Sequence, residues 1–148
     1  MSVPLIDLQY LTEVLETSYG PKNSKKIHLH FKPGEEPYYP EGIADNTHLS
    51  EKGALLVAGL AVKEMQSLQK HLLASAAKQI KNNGTIIYST CSLENEENWI
   101  VINDFLKKNP NYKIQNANKY ISNKYIDDKG AIFTYPPQHN IDGSFAVR

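Results

Sequence analysis

An uninterrupted helical pattern occupies the middle of the chain, from Ser50 to about Asn83. Ser50 is a suitable N-cap, and no proline interrupts the residues that follow it. A helix of about thirty residues exceeds the usual globular length, so the pattern predicts either a bent helix or two joined helices. Apolar residues along it predict a single buried stripe, made of Leu55, Ala58, Val62, Met65, Leu68, Leu72, Ala76 and Ile80.

Helical and strand patterns alternate before this helix. The stretch "LQYLTEVLETSYG" predicts a helix that Gly20 and Pro21 close, and "VPLIDL" and "SKKIHLHF" suit short strands. Residues 32–48 hold three prolines and two glycines, which predicts a long loop. Long ordered loops are often functional, so this one is a candidate region.

The second half continues the alternation. "TIIYST" predicts a buried strand, and "YKIQNA", "AIFTYPP" and "GSFAVR" predict shorter ones. A helix is expected directly after Cys91, with glutamates in its first turns, lysines in its last, and a buried face of Trp99, Ile102, Phe105 and Leu106. This order predicts an α/β fold whose sheet is at least partly parallel, with flanking helices.

The charge is balanced overall but uneven along the chain. Residues 1–68 carry 6 Lys against 9 Asp and Glu, whereas residues 69–148 carry 9 Lys and one Arg against 7 acidic residues. The second half therefore weakly favours an anionic partner. There is no secretory pattern and no apolar run long enough to span a bilayer. A single cysteine cannot form an internal disulfide, which favours a reducing compartment and a cytoplasmic location.

Cys91 stands where the "TIIYST" strand ends and an acidic stretch begins. Ligands of open α/β sheets bind at the carboxyl ends of strands, and the start of a helix favours a thiolate. The neighbouring glutamates oppose that effect, and burial as an inert thiol is the commoner fate of a free cysteine. From position alone, both interpretations stay open.

Three short motifs surround this cysteine. They are Thr-Cys-Ser around Cys91, Glu-Glu-Asn at residues 96–98, and Asp-Gly-x-Phe from Asp142 to Phe145. With the preceding helix of Gln69, Leu72 and Leu73 and the turn at Gly84, residues 68–148 resemble the C-terminal part of Sun/Fmu-type RNA cytosine-5 methyltransferases. Trp99 departs from the polar or acidic residue expected there.

This resemblance implies a Rossmann-like methyltransferase portion in which Cys91 is the nucleophile. Its thiolate would add to C6 of cytosine, and C5 would then take a methyl group from S-adenosylmethionine. The expected partner is single-stranded or looped RNA, ribosomal by analogy with the family, because the base must be unstacked.

Other features of that family are missing from the chain. It has no second cysteine to release the adduct, and no two glycines lie within five residues of each other to form the cofactor loop. Cofactor-binding residues are therefore unassigned, and we expect the segment to be inactive alone.

A second pair of chemical groups precedes the long helix. Asp45 and His48 are spaced Asp-x-x-His within residues 2–68, which resemble the C-terminal part of SGNH-type carbohydrate esterases of the rhamnogalacturonan acetylesterase kind. The resemblance implies an SGNH/flavodoxin-like portion in which Asp45 and His48 are the acid and base of a triad. In that family the nucleophilic serine lies in an N-terminal block, which is not part of the segment that matches, so Asp45 and His48 are expected to be an orphaned pair.

The remaining candidates carry weaker patterns. His28 and His30 alternate on a predicted strand without a third ligand, so no metal site is predicted, and His71 and His139 show no pattern. The segment "NYKIQNANKYISNKY" suits either RNA contact by stacking or a solvated loop.

The chain is thus predicted to combine an esterase-like segment, 1–68, with a methyltransferase segment, 69–148. An RNA methyltransferase fragment is the first hypothesis, an O-acetylesterase remnant the second, and a non-catalytic binding module the third. Unpaired sheet edges predict self-association.

Overall fold

The structure, a computed structural model, describes residues 5–148. It divides into two compact units, Met1–Glu64 and Met65–Arg148, while the assignment of 1–68 and 69–148 to two source families stays a prediction. The helices are α1 (Leu8–Asn23), α2 (Glu51–Gln79), α3 (Trp99–Lys108) and α4 (Pro136–His139). The strands are β1 (His28–Phe31), β2 (Ile43–Leu49), β3 (Tyr88–Thr90), β4 (Ile132–Thr134) and β5 (Ser144–Val147).

Helix α1 opens the first unit. The Asp7 carboxylate caps it by accepting a hydrogen bond of 2.9 Å from the Tyr10 amide. Gly20 breaks the helical geometry at φ 69°, as the Gly-Pro pair predicts, although a further turn carries the helix to Asn23. The strand predicted at "VPLIDL" is absent at residues 5–7, and residues 3 and 4 lie outside the described part of the chain.

Strands β1 and β2 form an antiparallel pair in which Phe31 lies opposite Ile43. The predicted strand in "SKKIHLHF" is therefore confirmed at His28–Phe31. The loop predicted to run to residue 48 is wrong from Ile43 onward, because pairing with β1 overrides the local turn preference of Asp and Asn residues.

Helix α2 begins at the predicted cap. The Ser50 hydroxyl oxygen accepts the Gly53 amide at 3.1 Å and can donate to the Lys26 carbonyl at 2.9 Å. The helix is continuous over 29 residues and ends at Gln79 rather than near Asn83. The predicted stripe is wrong in part, because Leu55 and Leu72 are exposed while neighbouring Leu73 is buried.

The second unit holds a three-stranded sheet in the order β3-β5-β4, and both pairings are antiparallel. The parallel sheet that the sequence predicts is not found among residues 5–148. The segment joining β4 to β5 is shorter than the dozen or so residues that a parallel crossover needs, so the chain returns antiparallel. Helices with small antiparallel sheets remain consistent with the α/β class.

Packing in the second unit centres on helix α3 and strand β5. The buried face of α3 is confirmed at Ile102, with Trp99, Phe105 and Leu106 packed half-buried around it. The buried core of this unit consists of Leu73, Val101, Ile102, Ala131, Phe145 and Val147.

Within residues 5–148, no helix is both long and apolar enough to cross a membrane.

Candidate active site

Cys91 directly follows the last residue of β3, and its side chain is exposed. The preceding residue, Thr90, lies opposite the buried Phe145 of β5. The backbone before the thiol is therefore held in a sheet, while the sulfur faces solvent. This placement excludes a buried thiol, whereas the role of Cys91 as a nucleophile stays a prediction.

A buried side-chain amide bonds to the residues on both sides of Cys91. Asn98 is 2% exposed, and its Oδ1 accepts a hydrogen bond of 2.5 Å from the Thr90 hydroxyl. Its Nδ2 donates to the Ser92 carbonyl at 2.9 Å. One side chain thus connects the residue before Cys91 to the residue after it. Movement of either neighbour of Cys91 would break one of these hydrogen bonds and leave a buried amide group unpaired. Because this costs free energy, both neighbours are held in place.

The turn between Cys91 and α3 is held by further polar contacts. The Ser92 hydroxyl oxygen accepts the Glu94 amide at 3.1 Å. The Tyr88 hydroxyl donates to the Glu97 carbonyl at 2.6 Å, and Gln69 donates to the Glu97 carboxylate at 2.7 Å. Burial, with a smaller effect of the Glu97 charge, raises the pKa of Tyr88 to about 12. Tyr88 therefore stays a neutral donor to this turn.

The glutamates after Cys91 are not part of a helix. Helix α3 begins at Trp99, and its first turn contains no acidic residue, whereas Lys107 and Lys108 occupy its last turn as predicted. The expected helix start beside Cys91 is therefore wrong. Residues 92–94 are irregular and residues 95–98 form a turn instead, because Ser92 and Asn98 bond locally and offer the backbone an alternative to helix. The dipole of α3 cannot account for reactivity at Cys91.

The Asp-Gly-x-Phe motif lies beside the same strand end. Thr134 donates its hydroxyl to the Asp142 carbonyl at 2.6 Å. A Cβ added at Gly143 would come within 2.7 Å of the Leu93 side chain, which shows how closely the two segments approach. Phe145 fills the core opposite Thr90. The structure therefore brings the three predicted motifs together around one end of β3.

Trp99 connects α3 to a neighbouring turn. Its Nε1 donates to the Asp127 carboxylate at 2.7 Å, and its ring packs edge-on against Phe145 with centroids 5.4 Å apart. The other Asp127 oxygen accepts the backbone amides of Lys129 and Ala131. Trp99 is therefore structural in this chain. Sequence reasoning missed Asp127, whose only signal was the Asp-Asp-Lys-Gly turn pattern.

In the first unit, Asp45 and His48 form the predicted pair on β2 rather than in a loop. The Asp45 carboxylate lies 2.7 Å from His48 Nδ1. The His48 and Thr47 backbone amides, followed by the His48 side chain, lower the pKa of Asp45 from 3.8 to about 2. His48 is 74% exposed, and its Nε2 forms no hydrogen bond within residues 5–148. The neighbouring Ser50 hydroxyl bonds to backbone carbonyls instead.

Three other histidines have hydrogen-bond partners, whereas His71 is exposed on α2. His28 contacts Glu16 at 3.2 Å, and His30 contacts Asn46 at 2.7 Å. His139 Nδ1 accepts the Tyr135 amide at 2.9 Å. Across residues 5–148, no group of three metal-ligating side chains comes together.

Comparison with known proteins identifies two kinds of relative. A profile of the family described as 16S rRNA methyltransferase RsmB/F matches residues 57–148. Ribosomal RNA small subunit methyltransferase B of Shewanella oneidensis is 33% identical over 87 residues, covering 59% of this chain and 19% of that protein. The 25S rRNA (cytosine-C(5))-methyltransferase nop2 of Schizosaccharomyces pombe is 33% identical over 98 residues, covering 57% and 16%.

The second kind is an esterase. Rhamnogalacturonan acetylesterase RhgT of Bacillus subtilis is 45% identical over 83 residues, covering 53% of this chain and 36% of that protein. The chain spans between 16% and 36% of the length of these three relatives. Both resemblances found in the sequence are thereby confirmed, and the methyltransferase match begins at residue 57, earlier than expected.

The profile match covers more than half of the chain and includes Cys91, Asn98 and Phe145. The chain belongs to the 16S rRNA methyltransferase RsmB/F family.

Proposed function

We propose that this chain carries the nucleophilic thiol of an RNA cytosine-5 methyltransferase, and that Cys91 is that nucleophile. The observation that carries the proposal is the Asn98 side chain, which bonds to both neighbours of an exposed cysteine. The buried amide fixes the two residues that flank the cysteine. A nucleophile at a strand end needs such support, because small displacements of a reacting atom lower the reaction rate strongly. Family membership supports the same role.

The chemistry proposed for Cys91 is addition to the pyrimidine ring. The thiolate forms a bond to C6, and the C5–C6 π electrons move onto C5 and its conjugated neighbours. C5 thereby becomes electron-rich enough to be alkylated. The base must leave its stack to reach the sulfur, so single-stranded or looped RNA, ribosomal in kind, is the substrate class that we propose.

S-Adenosylmethionine is the methyl donor that we propose from family membership. The described residues do not fit a glycine-rich cradle for it. Of the four glycines with positive φ, Gly42 lies against the Phe31 carbonyl and Gly130 against Asn116, whereas Gly20 and Gly34 have open space around them. No two of these glycines lie within five residues of each other, and no closely spaced pair of glycines follows a strand. We therefore derive no methyl-transfer step from this chain's residues.

The test uses a cytosine analogue that traps the adduct without a methyl donor. In 5-azacytosine, the thiolate adds to C6, and the electron pair moves to N5, which takes a proton from water. Single-stranded RNA containing this base should shift the chain on a denaturing gel, and Cys91→Ser should abolish the shift. An adduct that persists in Cys91→Ser would overturn the assignment.

A second candidate function rests on the Asp45–His48 pair. Its 2.7 Å contact and the similarity to an acetylesterase favour a carbohydrate O-acetylesterase remnant. Ser50 cannot serve as its nucleophile while it caps α2. Acetate release from acetylated pectic substrate that His48→Ala abolishes would support this function, and no release above the uncatalysed rate would eliminate it.

A further inference from the structure

A cavity of about 700 Å³ opens in the second unit at the beginning of β3, and Cys91 does not line it. Its volume lies in the range of small-molecule sites, about 300–1,000 Å³. The cavity has an apolar floor, which is formed by helix α2, the start of β3, helix α3 and the end of β5. That floor consists of Leu73, Ile86, Ile102, Phe105, Leu106 and Val147.

Cationic and amide side chains line the rest of this cavity. Lys81, Lys113 and Arg148 contribute three positive charges, and no Asp or Glu side chain is among the lining residues. An excess of positive side-chain charge in a concave site raises the local concentration of anions. The amide groups that could bond to a heterocycle belong to Asn82, Asn83, Asn111 and Gln115.

The Arg148 guanidinium is held in place but incompletely bonded. Its Cζ lies 4.8 Å from the centre of the Tyr120 ring, and Nη2 donates to the Thr85 hydroxyl at 3.4 Å. Its Nε is buried and has no hydrogen-bond partner within residues 5–148. Because the Nε is closed to solvent, the Nη groups are the donors that a ligand in the cavity could reach. A phosphate oxygen matches the planar fork of donors.

The two lysines are carried by turns that the structure fixes. Asn83 has φ 63°, and the Gly84 amide donates to the Lys81 carbonyl at 2.9 Å, which closes the turn that carries Lys81. Lys113 follows Tyr112, whose hydroxyl donates to the Ala77 carbonyl at 3.2 Å. Both ammonium groups therefore extend from ordered backbone at the cavity.

We propose that this cavity binds a nucleotide. The base lies against the apolar floor, and the phosphate bonds to Arg148 and interacts with the two lysines. The ligand is either a free mononucleotide or one residue of an RNA strand, which share this chemistry. The site is independent of the reaction proposed for Cys91, since the two lie at opposite ends of β3.

The experiment measures binding of the 148-residue chain to cytidine monophosphate by calorimetry and to a labelled single-stranded oligoribonucleotide by fluorescence anisotropy. Lys81→Glu, Lys113→Glu and Arg148→Gln are compared with Lys63→Glu, an exposed lysine that does not line the cavity. Each cavity variant should weaken binding about tenfold or more, because phosphate contacts dominate such affinity. Lys63→Glu should stay within about twofold, because it makes no phosphate contact. Circular dichroism verifies that every variant is folded.

The pattern of binding separates the two sources of the ligand. Binding of both probes, reduced by the cavity variants, identifies a mononucleotide site, and binding of the oligonucleotide alone identifies an RNA-strand site. Unchanged affinity in folded cavity variants, or no binding of either probe, overturns the proposal. Binding of cytidine monophosphate in this experiment requires no covalent step, so failure of the nucleophile assignment would not affect this result.

Discussion

The Thr90 hydroxyl donates a 2.5 Å hydrogen bond to the buried Asn98 carboxamide, across the turn that begins with Cys91. The same amide donates to the Ser92 carbonyl. This relationship explains why the Thr-Cys-Ser and Glu-Glu-Asn motifs occur together, since the last residue of one fixes the first and third residues of the other. The cysteine itself forms none of these bonds and stays free at the surface.

Asn98→Ala should destabilise the second unit by about 2–3 kcal/mol, because the Thr90 hydroxyl and the Ser92 carbonyl lose a buried partner. Urea unfolding followed through the fluorescence of Trp99, the single tryptophan of the chain, measures the change. Asn95→Ala is the matched control, because Asn95 is exposed and its side chain forms no hydrogen bond within residues 5–148. Equal stability of the two variants would contradict the bridging role.

The same bridge should also affect the thiol. If Asn98 positions Cys91, then Asn98→Ala should change the rate of adduct formation with 5-azacytosine RNA more than the rate of alkylation by iodoacetamide. A small reagent reaches an exposed sulfur in many geometries, whereas an RNA base needs one. Equal changes in both rates would indicate that Asn98 acts only on folding.

Two glycines of α2 should respond to the same substitution in opposite directions. A Cβ at Gly53 would clash with the Ile27 carbonyl oxygen, whereas a Cβ at Gly59 meets nothing within 4 Å. Gly59→Ala should therefore stabilise the chain by up to about 1 kcal/mol through helix propensity. Gly53→Ala should lower the thermal midpoint or prevent folding of the first unit. Similar midpoints for the two variants would contradict the close approach of α2 to Ile27.

The Asp45 carboxylate should stabilise the folded chain at pH values above its ordinary pKa, and this stabilisation should be lost in acid. Its pKa is lowered from 3.8 to about 2 in the folded chain. The unfolded chain therefore takes up the proton first as the pH falls, and the contribution disappears between about pH 4 and pH 2. Carboxyl chemical shifts recorded against pH measure the midpoint directly. A midpoint near 3.8 would contradict the backbone contacts from Thr47 and His48, and Asp45→Asn should remove this part of the acid response.

Trp99→Phe should destabilise the second unit by about 1–2 kcal/mol, because the Asp127 carboxylate loses the indole donor. The edge-on contact with Phe145 is largely retained by the new ring. Thermal unfolding by circular dichroism, compared with Tyr135→Phe at an exposed site, gives the measurement. No difference between these variants would show that the indole hydrogen bond contributes nothing.

The outer edge of β3 should promote self-association. In the second unit β3 and β4 flank β5, and the bridge between Ile126 and Ile132 covers part of the β4 edge. Ile87, just before β3, is 69% exposed. Sedimentation at increasing concentration should show oligomers of the native chain, and Ile87→Lys should reduce them. A native chain that stays monomeric at every concentration would contradict this.

Local signals accounted for much of the fold. The cap at Ser50, the break at Gly20 and the buried residues of α3 could be predicted, because capping, glycine conformation and helical periodicity depend on nearby residues. The strand at Ile43–Leu49 could not be, because it depends on pairing with a distant segment. The antiparallel sheet could not be predicted either, because it depends on how β5, which contains Phe145, pairs with distant strands.

The candidate site was predictable as a set of motifs but not as an arrangement. The cysteine and the Asp-x-x-His pair could be read from their spacing and family resemblance. The bridge from Asn98 across Cys91 could be recognised only in the structure, because a buried amide that bonds to two residues produces no periodic pattern in the sequence. The start of α3 at Trp99 was missed for the same reason, since Ser92 and Asn98 divert the preceding residues into turns.

The most direct test of the account is the mass of the protein after reaction with single-stranded RNA containing 5-azacytosine. The account predicts one covalent nucleotide adduct per chain, located after digestion on the peptide that contains Cys91, and none with Cys91→Ser. An intact chain with no adduct under conditions where Cys91 is freely alkylated by iodoacetamide would contradict the proposal that this thiol is the nucleophile.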